Sequence, residues 1–290
     1  MKFVSAPRSS RREPLYFTKL GSARSTFRRE VLDRIESRRD AARNRDVNLR
    51  ALRRSEELRP LAHAIAGCAD DDPCAMVLCP RCARQYRLWL AQEILLRASE
   101  RLPACALTIL LRAAQGRDLR RVDLKAEQLI LRKRLSRAGF LAVAGGTEAS
   151  YDTAKDIWTV HVHLIVFGDI DEALPRLRKT FGRAGLERPI LRKKLTDLVG
   201  WATYVQKFHT YHRPGSAKFG GRGRAYPLKA QQIRQLGRWT KRYRFEDFLF
   251  LLGFRRRCAR LVPERGFTEL LRDYRQGMAT WRRGDTRSEG

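Results

Sequence analysis

The sequence predicts an α+β protein, on three observations. Residues 140–150 and 158–166 are apolar, β-branched runs either side of a polar turn at 151–156, the pattern of a β-hairpin. Residues 105–111 (CALTILL) make a further strand-like run. Around these lie stretches with helical apolar spacing, at 81–100, 124–138, 171–184 and 195–209.

Taken in order, residues 1–60 are charged and poor in aromatics. Within them 27–59 is helix-forming with a thin apolar stripe through Val31, Ile35 and Ala42. This is a basic helical arm ordered against DNA or the main domain, or else a solvated charged helix without a contact role. Residues 61–100 hold a cysteine cluster and a helix whose Tyr86, Trp89, Leu90, Ile94 and Leu95 recur at helical spacing. Residues 101–215 carry the strands, with an irregularity expected at Gly145-Gly146 and Asp169 or Asp171 capping the helix at 171. Residues 216–290 form a basic C-terminal region. A Gly-rich loop at 212–224 leads into it, 228–274 is helical, and a charged tail follows.

The chain has 290 residues and 61 Lys+Arg against 31 Asp+Glu, a formal net charge of +30. Such an imbalance calls for a polyanionic partner, and nucleic acid fits best. Anionic membrane fits less well: the first residues lack the apolar core of a signal peptide, and CALTILL and FLFLLGF are too short to span. A soluble, cytoplasmic protein is expected. Six cysteines without a secretion signal argue against a disulfide framework. Cys105 and Cys258 read as ordinary thiols. Cys68, Cys74, Cys79 and Cys82 are spaced x5, x4 and x2, and the Cys79-Pro-Arg-Cys82 knuckle lets two thiolates converge on a structural zinc. His63 is a possible substitute for one of them; four incidental thiols is the alternative.

Side chains alternate along a strand, so His161 and His163 share a face at ~6.5–7 Å while Val160, Val162, Leu164 and Val166 face a core. Two imidazoles on one face are half of a metal site, or two surface histidines on a half-buried sheet. Glu148, on the opposing hairpin arm, would complete a mixed N/O set suited to Mg²⁺ or Mn²⁺, or else faces solvent, since the sequence does not fix the hairpin register. In the helix at 195–209, Tyr204 lies about 150° from the middle of the stripe formed by Leu195, Leu198, Val199, Ala202 and Val205. Lys207, at i+3, can bring its ammonium to the phenol. Trp201 and Phe208 flank Tyr204 and support a rival account, a second aromatic packing face.

These motifs, in this order, resemble the HUH endonucleases, and within them the rolling-circle replication initiator (Rep) proteins of bacterial plasmids and phages. Ala106-Leu107-Thr108-Ile109-Leu110 resembles the first motif of that family. His161-Val162-His163 resembles its His-hydrophobic-His motif, and Tyr204-Val205-Gln206-Lys207 its Tyr-x-x-Lys motif. A cysteine knuckle upstream is similar to that of many initiators. The resemblance covers about residues 68–215. It implies an HUH-type (RRM/ferredoxin-like) five-stranded antiparallel sheet with the histidine strand near its centre and the endonuclease core at 101–215. It further implies a divalent metal on His161, His163 and Glu148, and attack by Tyr204 to leave a 5′-phosphotyrosine and a free 3′-OH. Lys207 would orient the phenol or stabilise charge. Tyr211 is a candidate second nucleophile; His209 and His212 face DNA or are incidental.

Residues 211–245 hold ten basic residues and no acidic one, including Arg213, Lys218, Arg222, Arg224, Arg238, Lys241 and Arg242. Phe219, Tyr226, Trp239 and Tyr243 are interleaved. Basic residues follow a phosphate backbone while aromatics stack on bases; a solvated basic helix is the alternative, against which a wholly one-signed run repels itself and so favours binding. Single-stranded or hairpin origin DNA is the expected partner, with host replication machinery. The rivals are a relaxase or single-strand transposase of the same superfamily, and a non-enzymatic zinc-containing DNA-binding regulator.

Overall fold

A computed structural model describes residues 31–98, 102–181, 189–206, 211–213, 226–257 and 260–285. Helix α1 (Arg38–Arg53) opens on a capping box: the Asp40 N–H donates to Ser37 Oγ at 3.0 Å. Its Leu49 and Leu52 enter one core with Trp239 and Leu58, so this part of the N-terminal segment is ordered against the main domain. Helices α2 (Arg59–Ala66) and α3 (Pro80–Ala98) follow. Tyr86, Leu90 and Ile94 of α3 are fully buried, as their spacing predicts.

Strand β1 (Ala104–Gln115) runs past its predicted end, with a bulge between Leu110 and Arg112. Helix α4 (Leu124–Ala138) matches its predicted bounds. Asp123 accepts from the Lys125 and Ala126 N–H groups at its start, and Gly139, at φ +96°, ends it. Strands β2 (Ala142–Asp152) and β3 (Ile157–Phe167) form the hairpin. Helix α5 (Ala173–Lys179) starts later than expected, because Asp169 caps the Asp171 N–H in a turn of its own. Then come β4 (Ile190–Lys194), α6 (Leu198–Tyr204), β5 (Tyr211–Arg213), β6 (Tyr226–Pro227) and α7 (Ala230–Thr240). Helix α6 is shorter than the 195–209 expected; 207–210 lie outside the described residues.

The C-terminal region is not the continuous helix expected. After a single turn, α8 (Phe245–Phe248), the chain forms β7 (Leu249–Leu252), β8 (Phe254–Arg257) and β9 (Arg260–Pro263), then α9 (Arg265–Asp285). A short apolar run has no periodicity to separate a buried strand from a helix. Gly253, at φ +71°, ends β7; a Cβ there would stand 2.1 Å from the Leu141 carbonyl oxygen.

Five strands pair antiparallel in the order β4-β1-β3-β2-β7, so the histidine strand β3 is central. At the hairpin end of β2, β5 adds a short parallel pairing and β6 continues from it. One face packs Val162, Leu164 and Val166 against Leu131 and Leu135 of α4 and Leu174 and Leu177 of α5. The histidine face is covered too: Ile165 and Phe167 are buried, and Phe167 packs edge to face on Phe254 and Phe267.

The expected Gly145-Gly146 irregularity is absent, since β2 and β3 stay in register throughout. The glycines instead permit close approach. A Cβ on Gly145 would lie 2.0 Å from the His163 carbonyl oxygen, and one on Gly146 2.8 Å from Gln206 Cγ. Gly145→Ala is therefore expected to cost about 1–3 kcal/mol, because backbone must move. Thermal unfolding checks it; an unchanged midpoint would show that the strands part freely.

Candidate metal centre

The hairpin register sets Glu148 opposite His161 and Gly146 opposite His163. With no side chain on Gly146, Glu148 lies against both imidazoles. Its Oε1 is 2.8 Å from His161 Nε2 and 3.0 Å from His163 Nε2. The two rings stand edge to face, with centroids 4.7 Å apart. Burial would raise the Glu148 carboxyl, but His163 and His161 outweigh it and hold the group well below the usual carboxylate range.

The outer partners suit a cation. His163 Nδ1 is 2.8 Å from Thr108 Oγ1, and His161 Nδ1 is 3.2 Å from the Thr159 carbonyl oxygen. Both Nε2 atoms donate to Glu148 Oε1 here; with Nδ1–H kept on the Thr108 and Thr159 oxygens, loss of the Nε2 protons would free both Nε2 lone pairs for a shared cation, the arrangement that metal-bound histidines adopt. Glu148 Oε2 is buried with no hydrogen-bond partner among the described residues. A carboxylate oxygen so placed is costly alone and well used as a ligand. The donor atoms of Glu148, His161 and His163 all lie within 4.8 Å of one another, so the three residues fit a divalent cation.

Tyr204 ends α6, whose start is capped by Asp197 accepting from the Gly200 N–H at 2.9 Å. Its ring packs edge-on against His163, centroids 4.7 Å apart, and against Trp201 at 5.3 Å. The off-stripe position thus sets the Tyr204 ring against the His163 imidazole, and the aromatic contact with Trp201 coexists with it. Lys207, Phe208 and His209 lie outside the described residues; of Tyr211 and His212 only the backbone is described, in β5.

Two residues beside the site carried no role in the sequence reading. Thr108 was visible in the first motif, but its bond to His163 needs the β1–β3 register. Gln206 is 2 % exposed, and neither amide atom has a partner among the described residues. A third contact is remote: Arg87, 5 % exposed, pairs with Glu36 and donates to the Thr203 carbonyl oxygen at 3.0 Å.

Cys68, Cys74, Cys79 and Cys82 come together as four buried free thiols. Cys82 Sγ is 3.5 Å from Cys68 Sγ and 3.8 Å from Cys74 Sγ, far beyond a disulfide bond. Four sulfurs ~2.3 Å from a tetrahedral zinc would stand about 3.8 Å apart. Hydrogen bonds from Cys74, Cys79 and Cys82 pull the Cys68 thiol down, while those with Cys68, Cys74 and Cys79 push Cys82 up. His63 is exposed and not part of the cluster. Cys105 is a core thiol, pushed up by burial to about 11; Cys258 lies outside the described residues.

The basic run divides. Arg238 and Lys241 share Glu57, at 3.0 and 2.7 Å, and Arg242 donates to the Val122 carbonyl oxygen at 2.5 Å. Lys218, Arg222 and Arg224 lie outside the described residues, as does Phe219, and only the backbone of Arg213 is described. Trp239 and Tyr243 are not base-stacking platforms: both are buried, and the Trp239 indole donates to Val122 O at 2.9 Å. With Leu236 they fall on the apolar side of α7 and its continuation. Tyr226 is exposed.

Comparison with family models, curated proteins and solved structures found no match. No helix among the described residues is long and apolar enough to cross a membrane.

Proposed function

We propose that the protein is a metal-dependent, tyrosine-type DNA nickase of the HUH class that initiates rolling-circle replication. One observation carries the reading: Glu148, His161 and His163 converge on one point while the Tyr204 ring lies against His163. The β-α-β-β-α-β order from β1 to β4, which is ferredoxin-like, supports it. Mg²⁺ or Mn²⁺ at the three donors would act as a Lewis acid on an oxygen of the scissile phosphate.

The residues divide the work. Glu148 and the imidazoles hold their positions through Thr108 and the β2–β3 register, and α6 presents the phenol beside them. Tyr204 Oη attacks phosphorus and loses its proton; the bond to the 3′ oxygen breaks, and that oxygen takes up a proton. The products are a 5′-phosphotyrosine and a 3′-OH that can prime synthesis. Lys207 is the proposed stabiliser of the phenolate. The cysteine cluster is the proposed structural zinc site, and origin DNA, single-stranded or hairpin, the partner, with host replication proteins acting on the 3′-OH in the cytoplasm.

The test is a covalent adduct between the protein and single-stranded origin DNA in Mn²⁺, seen on a denaturing gel. Tyr204→Phe is expected to lose it entirely. His161→Ala is expected to lose metal-dependent cleavage yet keep most binding, since phosphate contacts supply most affinity. An adduct that survives in Tyr204→Phe removes the nucleophile from the mechanism. No adduct on any origin favours a zinc-containing regulator, and cleavage of transfer-origin or transposon-end sequences instead favours the relaxase or transposase.

A further inference from the structure

A second basic feature lies away from the metal centre. The 3₁₀ turn at Gly116–Arg121 and helix α7 border a cleft of about 430 Å³, lined by Arg117, Arg120, Gln231, Arg234, Gln235 and Arg238. No carboxylate lines it. Among the described residues Arg117, Arg120 and Arg234 form no ion pair, whereas Arg238 shares Glu57 with Lys241. Two other acids of the neighbourhood are committed elsewhere: Asp118 pairs with Arg121 at 3.5 Å, and Asp156 accepts from the Tyr151 hydroxyl. Around this cleft Arg117, Arg120 and Arg234, three guanidinium groups without a carboxylate partner among the described residues, repel one another unless an anion joins them.

The walls are built rather than incidental. Trp158 Nε1–H donates to Gln235 Oε1 at 3.0 Å, fixing that amide at the cleft edge. Gly116 leaves room for it: a Cβ there would meet Gln235 Nε2 at 3.1 Å and Asp156 Oδ1 at 2.6 Å. Trp158 pairs with Tyr151, so its side chain takes the sheet face opposite to His161 and Glu148. A strand seated on the metal centre therefore does not enter this cleft directly.

The geometry points to a second nucleic-acid contact, a cleft that grips the phosphodiester backbone of duplex DNA flanking the region bound at the metal centre. Planar guanidinium forks match phosphate oxygens in pairs. The lining holds no aromatic or apolar side chain, so there is nothing for unstacked bases to rest on, as single-strand sites require. Backbone contacts of this kind set position without reading sequence. The inference needs the nucleic-acid partner of the proposed function but not its nicking chemistry.

The test is fluorescence anisotropy of the full chain with a 5′-labelled duplex of about 20 base pairs, and with the single strand of the same sequence, across a salt series without added divalent cation. Replacing Arg117, Arg120 and Arg234 together by Ala is expected to weaken duplex binding at least tenfold. The slope of log K against log salt should shrink by about 2.7, at ~0.9 per lost phosphate contact. Single-strand affinity should stay within twofold, and the triple Arg→Lys variant should keep most of the slope. An unchanged duplex slope, or an equal loss on single strand, overturns the proposal. So does inorganic triphosphate displacing the duplex at micromolar concentration from the wild type but not the Ala variant, which would make this a free-polyphosphate site. Adduct formation by the Ala variant on a short single strand reports on nicking separately.

Discussion

Cys82→Ser is expected to destabilise the protein by more than about 4 kcal/mol, the range reserved for loss of a buried metal or network. At ~2–4 °C per kcal/mol for large domains, the thermal midpoint should fall by at least about 8–10 °C. The cause lies in where the four sulfurs sit. Cys79 and Cys82 are 0 % and 1 % exposed, at the start of α3, whose Tyr86, Leu90 and Ile94 are fully buried. With a zinc ion bound, its coordination energy is folding energy for this layer. Without one, the cluster is four buried thiols joined only by weak S–H contacts. A strong chelator should reproduce the Cys82→Ser shift in the wild type, and elemental analysis should give about one zinc per chain. A chelator without effect on the midpoint, with no zinc in the purified protein, would make the cluster four ordinary core thiols.

The parts of the fold that were legible in the sequence are those with a strong period or a cap. Tyr86, Leu90 and Ile94 mark α3 as a buried helix, and the bounds expected for α4, 124–138, agree with Leu124–Ala138. The alternation around His161 and His163 identified both the strand and the shared face. The hairpin leaves Glu148 open between a ligand and a solvent-facing residue, because only the β2–β3 register sets it opposite His161. Other parts had no local signal. Strand β4 is five residues with Arg192, Lys193 and Lys194, and it exists because the edge of β1 offers unpaired backbone. Strand β7 looks the same as a buried helix segment until β2 is there to pair with it. The one-signed charge run at 211–245 points to nucleic acid and makes Trp239 and Tyr243 look like exposed base-stacking platforms, yet both are buried. The compensating carboxylate, Glu57, comes from a segment more than 180 residues away. Charge balance and burial are tertiary properties; neither is visible in a window of the chain.

Arg87 shows how that tertiary layer reaches the site, and its removal carries the second large effect. It is a charge inside the buried run of α3, paired with Glu36 at side-chain exposures of 6 % and 8 %. One guanidinium nitrogen also holds the carbonyl oxygen of Thr203, the residue before Tyr204. Arg87→Met fills similar volume but takes the paired guanidinium from the buried Glu36 carboxylate, which Arg84 also faces, at an expected cost of about 3 kcal/mol. Pairing it with Glu36→Gln removes that charge, so the double variant should regain a large part of the loss. The Thr203 carbonyl would still lack its donor. At a temperature where the double variant is fully folded, its rate of adduct formation should therefore remain below wild type, with DNA affinity unchanged. Restored stability together with a restored rate would reduce Arg87 to a packing element. A double variant no more stable than Arg87→Met alone would refute the buried-charge account, since the penalty would then lie in the lost bond to α6.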